Sequence, residues 1–153
     1  MKKLLFAALV MAGCASSTSE PFEPTSKILL EVEYENYAWG HEHFGYTING
    51  LGEIYAYPQG NLVKSVPTSD FGSIASKIAN SAGGKLSEVK SQCADAGALT
   101  YWGYLYAGNG SYQRVMLRTE GDHAQQNTSQ AAQDVIAYIR SLKLIQEFQG
   151  CDP

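Results

Sequence analysis

The feature that most constrains this chain is a strict two-residue alternation. From Ile28, the apolar residues Leu30, Val32 and Tyr34 alternate with Glu31, Glu33 and Glu35. A period of two sends successive side chains to opposite sides, so this stretch predicts a half-buried strand with one solvated acidic face. Asn36-Tyr37-Ala38-Trp39-Gly40 interrupts the alternation and reads as a turn or a bulge. Phe44, Tyr46 and Ile48 then share one side of a second strand near residues 42–48. Asn49-Gly50-Leu51-Gly52 supplies residues that accept positive φ, which predicts a tight hairpin. A third strand over residues 53–57 ends at Pro58-Gln59-Gly60-Asn61. Three antiparallel strands in a meander are expected.

The periodicity then changes. Ser69 or Asp70 can cap a helix in which Phe71, Ile74, Ala75 and Ile78 recur at three and four, and Gly83-Gly84 stops it. Leu86, Val89 and Cys93 would share one face of a second short helix over residues 86–94. Strands are expected again at 99–106 and 112–119, on either side of the hairpin signal Gly108-Asn109-Gly110. Asn127 and Gln130 form the Asn-x-x-Gln variant of a capping box. Beyond it Ala131, Ala132, Val135, Ile136, Ile139 and Leu142 trace an apolar stripe that predicts a long C-terminal helix to about Leu144. The expected fold class is α+β: a single antiparallel sheet of about five strands in two hairpin or meander units, with two or three helices packed on one face.

Residues 1–14 read MKKLLFAALVMAGC: two lysines, a short apolar run, then Ala12-Gly13 and Cys14. An apolar run of about eight residues is far short of the roughly 20 that span a bilayer, so the pattern is that of a secretory signal. The small pair directly before Cys14 resembles the lipobox of bacterial lipoproteins, with Met11 standing where that family usually has Leu. The resemblance covers about a tenth of the chain. It implies removal of residues 1–13 and acylation of Cys14, which becomes the mature N-terminus. Ala15 follows where an Asp is absent. In a Gram-negative host this implies an exported protein anchored in the outer membrane, facing the periplasm or the cell surface.

The rest of the organisation follows from that address. Residues 14–26 contain two Pro and six Ser or Thr and read as a flexible tether from the lipid to a single domain over 27–153. Twelve such residues reach about 20 Å. With Cys14 assigned to lipid, Cys93 and Cys151 remain, and in an oxidising compartment two leftover cysteines most simply pair. Such a bond would contribute about 4 kcal/mol in the loop-entropy picture. The mature chain would carry nine Lys or Arg against fifteen Asp or Glu, a charge of −6. That excludes an electrostatic footprint for nucleic acid and makes the lipid the expected hold on the membrane.

Three groups of residues could carry function. Trp102, Tyr104 and Tyr106 alternate along one strand, with Leu99, Tyr101 and Leu105 on its other side. Such a strand is either covered twice or offers an aromatic surface to a glycan or an extended peptide. Tyr55 and Tyr57 would extend the surface if their strand adjoined it, and Trp39 would either cap the core or join a recognition surface. His41 and His43, two apart on a strand, project from one face and could ligate zinc or copper with His123, Asp122 or Glu42 as third partner. No nucleophile elbow, Cys-x-x-Cys pair or glycine-rich phosphate loop occurs. The sequence therefore points to a small lipid-anchored envelope protein that acts by binding an envelope protein or a glycan such as peptidoglycan. The competing readings are a metal-dependent periplasmic hydrolase using His41 and His43, and an inhibitor or immunity protein directed at a secreted enzyme.

Overall fold

A computed structural model describes residues 25–38, 40–90 and 97–145. In chain order the elements are β1 (Ile28–Asn36), β2 (Glu42–Asn49), β3 (Glu53–Tyr57), β4 (Asn61–Ser65), α1 (Phe71–Ser81), β5 (Leu86–Glu88), β6 (Ala98–Tyr106), β7 (Tyr112–Gly121), β8 (Gln125–Asn127) and α2 (Gln130–Ser141). The strands form one eight-stranded sheet in the order β4-β3-β2-β1-β6-β7-β8-β5, antiparallel at every pairing.

The expected fold class is corrected by this sheet, which has eight strands rather than about five and is accompanied by two helices among the described residues. The strands that were missed are short or polar. β4 (NLVKS) is exposed at every position, and β5 and β8 have three residues each, too few to display a period. Leu86 was expected to open a helix, because Leu86, Val89 and Cys93 fit its spacing. It opens β5 instead, which pairs with β8 through Leu86 and Asn127. Tertiary pairing overrides a weak local preference there.

The meander β1–β2–β3 and the hairpin β6–β7 follow the turn chemistry. Asn49 Oδ1 accepts from the backbone N–H groups of Leu51 and Glu53, both at 3.0 Å, and Gly52 adopts a φ of 82° that a side chain would strain. Residue Asp70 occupies the N-cap of α1 without a side-chain cap bond. At α2 the cap is Ser129, whose hydroxyl accepts from Ala132 N at 3.2 Å, rather than the expected Asn127. Asn127 is buried and works from beneath. It donates to Ser81 O at the end of α1 (2.9 Å) and accepts from the Ser129 hydroxyl (2.8 Å), joining both helices to β8.

One sheet row shows how the core is built. Ile54, Ile48, Leu30, Gly103 and Val115 lie side by side across β3, β2, β1, β6 and β7. Phe71, Ile74 and Ile78 of α1 and Val135, Ile136 and Ile139 of α2 close over that face and are buried with it. Gly103 is what admits α1, since a Cβ there would lie 2.6 Å from Ile78 Cγ2. Both described helices share this face. Among the described residues no helix lies on the other.

Candidate functional site

The uncovered face is fixed by the same register. On β1 it presents Glu31, Glu33 and Glu35. Glu31 is flanked by Thr47 and then Tyr55 on one side and by Trp102 and then Met116 on the other. Glu33 is flanked by Gly45 and then Tyr57, and by Thr100 and then Thr119; Glu35 pairs with His43. Further along, Tyr104 pairs with Arg114 and Tyr106 with Tyr112. All these side chains share one side, because each stands directly across from or two residues along from another.

The glutamates do not form the solvated row that the alternation suggested. Glu31 is 9% exposed. Its Oε2 accepts from the Tyr104 hydroxyl and, at 3.0 Å, from Arg114 Nη2. Glu33 Oε2 accepts from the same Arg114 nitrogen at 2.7 Å and from Trp102 Nε1 at 3.0 Å, while His43 Nε2 lies 3.0 Å from its Oε1. The Arg114 guanidinium also stacks on Trp102, 4.1 Å from the ring centroid. Two carboxylates, a guanidinium, an indole and a phenol thus make one network at the middle of the sheet. Burial alone would raise the Glu33 carboxyl, but the hydrogen bonds from Arg114 and His43 and the Arg114 charge outweigh it and hold the group below 4.5. Burial, reinforced by the bond to Glu31, raises the Tyr104 phenol well above its ordinary 10.0.

A glycine shapes this face as another shapes the core. A Cβ on Gly45 would lie 2.5 Å from the Tyr57 hydroxyl and 2.1 Å from Val32 O. The bare backbone lets the Tyr57 ring lie across β2 toward the glutamates. Among the described residues its hydroxyl is the buried side-chain polar atom that lacks a hydrogen-bond partner. Burial, then the Glu31 and Glu33 charges, push that phenol far above its ordinary value.

Rings continue from both ends of the network. On one side Tyr57 lies 5.2 Å from His43, His43 stacks 6.1 Å from His41, and His41 stacks 4.7 Å from Tyr37. Glu35 accepts from the Tyr37 hydroxyl and lies 3.4 Å from His41 Nε2. On the other side Tyr104, Tyr106 and Tyr112 form a triangle with centroids 5.4 to 6.4 Å apart, and Lys27 Nζ sits 5.0 Å from the centre of Tyr106.

The structure therefore brings Tyr55, Tyr57, Trp102, Tyr104 and Tyr106 to one face with His41 and His43. Tyr55 and Tyr57 are separated from β6 by β2 and β1 rather than adjoining it. Trp102 is not a free stacking platform, since Arg114 occupies a face of its ring. The sequence reading missed Arg114, Tyr112 and the role of the glutamates. The histidines meet carboxylates from β1, and among the described residues no group of three or more His, Cys, Asp or Glu side chains is placed to hold a metal ion. His123, offered as a third ligand, stands in the turn after β7 with a φ of 54°. Trp39, Cys14, Cys93 and Cys151 lie outside the described residues, as do the signal segment and nearly all of the tether. No described helix is long and apolar enough to cross a membrane.

No family model, no curated protein and no solved structure matches this chain.

Proposed function

We propose that this is a small envelope protein, held to the membrane by lipid on Cys14, that acts by binding a partner through the uncovered face of its sheet. The observation that carries this reading is the network of Glu31, Glu33, Arg114, Trp102 and Tyr104. These polar groups are held in fixed positions by one another on the face that the helices leave bare. A pre-ordered surface loses little side-chain freedom on association, which favours affinity. Exposed rings beside it, Tyr112 at 60% and Tyr37 at 69%, supply the amphipathic contact area typical of recognition surfaces.

The test compares faces. A photo-cross-linking side chain is placed at Tyr112 on the uncovered face or at Ser76 on the exposed side of α1, in full-length protein expressed in its own envelope. A specific adduct from position 112 and none from position 76 is expected; equal capture at both would end the assignment of this face. The Cys14→Ser variant is expected to leave the membrane fraction, and its retention there would remove the lipid from the reading.

A further inference from the structure

The geometry points to a basic polypeptide as the partner, with Lys or Arg side chains docking at the end of the uncovered face formed by Glu35, Tyr37 and His41. This inference rests on the reading of that face as the binding surface and adds the chemistry of its ligand.

Charge complementarity is the first argument. Glu31, Glu33, Glu35 and Glu53 share this face by register, against Arg114 and the Lys27 that covers Tyr106. On the helix side Lys77 pairs with Asp134, Arg140 and Arg118 both pair with Glu120, and Lys64 donates to Leu142 O. Among the residues the register places on it, the bare face thus carries more carboxylates than cations, and that excess would steer a cationic partner toward it.

The second argument is that the face already shows how it binds a cation. Arg114 lies over the Trp102 ring with its Nη2 bonded to two carboxylates, and Lys27 lies over Tyr106. Ring face plus carboxylate is a combination that favours guanidinium and ammonium groups. The same combination recurs, open to solvent, at the opposite end. There the Tyr37 and His41 rings stack beside the half-exposed Glu35 carboxylate, and among the described residues no Lys or Arg forms an ion pair with it. A ligand's arginine would find at Glu35 and Tyr37 what Arg114 finds at Glu33 and Trp102. Occupancy distinguishes the two: at Glu33 and Trp102 a cation of the chain is already in place, whereas the neighbours of Glu35 are Tyr37 and His41.

The experiment uses full-length protein and a fluorescein-labelled Lys-Arg octapeptide, with a Gln-substituted octapeptide and a peptidoglycan disaccharide–peptide fragment as competitors for the face. Binding is followed by anisotropy at about 0.15 M ionic strength, where exposed charges farther apart than about 8 Å are screened. Amide resonances locate the contact. The expected result is saturable binding of the basic peptide, weakened about tenfold in E35Q/Y37A through loss of an ion contact and a cation–π contact. D70N removes one negative charge at the start of α1 and is expected to change binding less than about twofold. Thermal melting confirms that both variants fold, since the altered side chains are exposed or nearly so.

Equal weakening by both variants would overturn the proposal in favour of diffuse charge. Binding of the peptidoglycan fragment on the face, without the peptide, would overturn the ligand class and leave the face standing. If neither probe shifts resonances on the face and position 112 captures nothing, the functional reading falls as well.

Discussion

The two faces of this sheet are built with one device and put to opposite uses. Each has a glycine in a central row that lets a large side chain lie against the backbone: Gly103 admits Ile78 on the helix side, and Gly45 admits Tyr57 on the bare side. On the helix side the space is filled by hydrocarbon from α1 and α2, and the polar groups gather at the rim, where Arg140 bridges to Glu120. On the bare side it is filled by a phenol leaning toward carboxylates that are already hydrogen-bonded to Arg114 and Tyr104. The first face is held by shape and the loss of water contact. The second is held by charges and directed bonds, and so responds to pH and to removal of a single partner. On the proposed reading, stability and recognition are separated by the thickness of one sheet.

Breaking the helix-side face should cost most. Phe71 is fully buried, with its ring edge-on to Tyr138 at 6.2 Å. Phe71→Ala removes the ring and leaves a cavity, so it is expected to destabilise by about 3–5 kcal/mol, measured by urea unfolding. A loss below about 1 kcal/mol would mean that α1 contributes far less to the core than its burial states.

The glycines give a sharper comparison, because one methyl is added to each face. At Gly45 the new Cβ meets backbone, Val32 O, and can be relieved only by separating β1 from β2. At Gly103 it meets the Ile78 side chain, which can shift with α1. Gly45→Ala is therefore expected at about 3 kcal/mol and Gly103→Ala at about 1–2 kcal/mol. The reverse order would show that the strands yield more readily than the helix packing.

Much of the helix side was legible in the sequence. Phe71, Ile74 and Ile78, and Val135, Ile136 and Ile139, mark their helices by spacing, and Leu30, Val32 and Tyr34 mark the inward side of β1. The hairpins were legible because Asn49, Gly52 and Gly110 carry the turn chemistry locally. What was not legible depends on distant pairing. β4, β5 and β8 are too short or too polar to show a period, and an exposed Leu62-Val63 pair is indistinguishable from a loop. The bare face was half visible: Trp102, Tyr104 and Tyr106 announced an aromatic row. Glu31, Glu33 and Glu35 announced only a polar one. Arg114, which bonds Glu31 and Glu33, and Tyr104, which bonds Glu31, stand more than seventy residues away, and nothing local distinguishes a solvated glutamate from one awaiting an arginine across two strands. Alternation gives the side of the sheet, not the company on it.

Removing Arg114 tests the network itself. Arg114→Met keeps the stem against Trp102 and deletes the charge shared by Glu31 and Glu33. The pair is partly open to water, so the loss is expected at about 1–2 kcal/mol at neutral pH, less than for a fully buried pair. The pH dependence carries the sign. Glu33 is held below 4.5 in the folded protein, so on acidification the unfolded chain takes up the proton first. Its contribution is complete above that ordinary value and disappears as pH falls through the folded-state value. Wild type should lose stability below about pH 4.5 by this route, and Arg114→Met should lose less over the same window. Parallel curves for the two proteins would show that the arginine does not set the Glu33 titration.

The smallest effect on stability should fall where the effect on binding is of most interest. Tyr112 closes the tyrosine triangle 5.4 Å from Tyr104, yet it is 60% exposed and little of it is buried on folding. Tyr112→Ala is therefore expected within about 0.5 kcal/mol of wild type in urea unfolding. Because Tyr112 stands on the bare face beside the built-in network, the same substitution should weaken partner binding, and that separation of readouts identifies a surface ring used for recognition. A loss of more than about 1.5 kcal/mol would place the triangle among the interactions that hold the sheet together, and would move the boundary between the two faces' roles to the end of the β6–β7 hairpin.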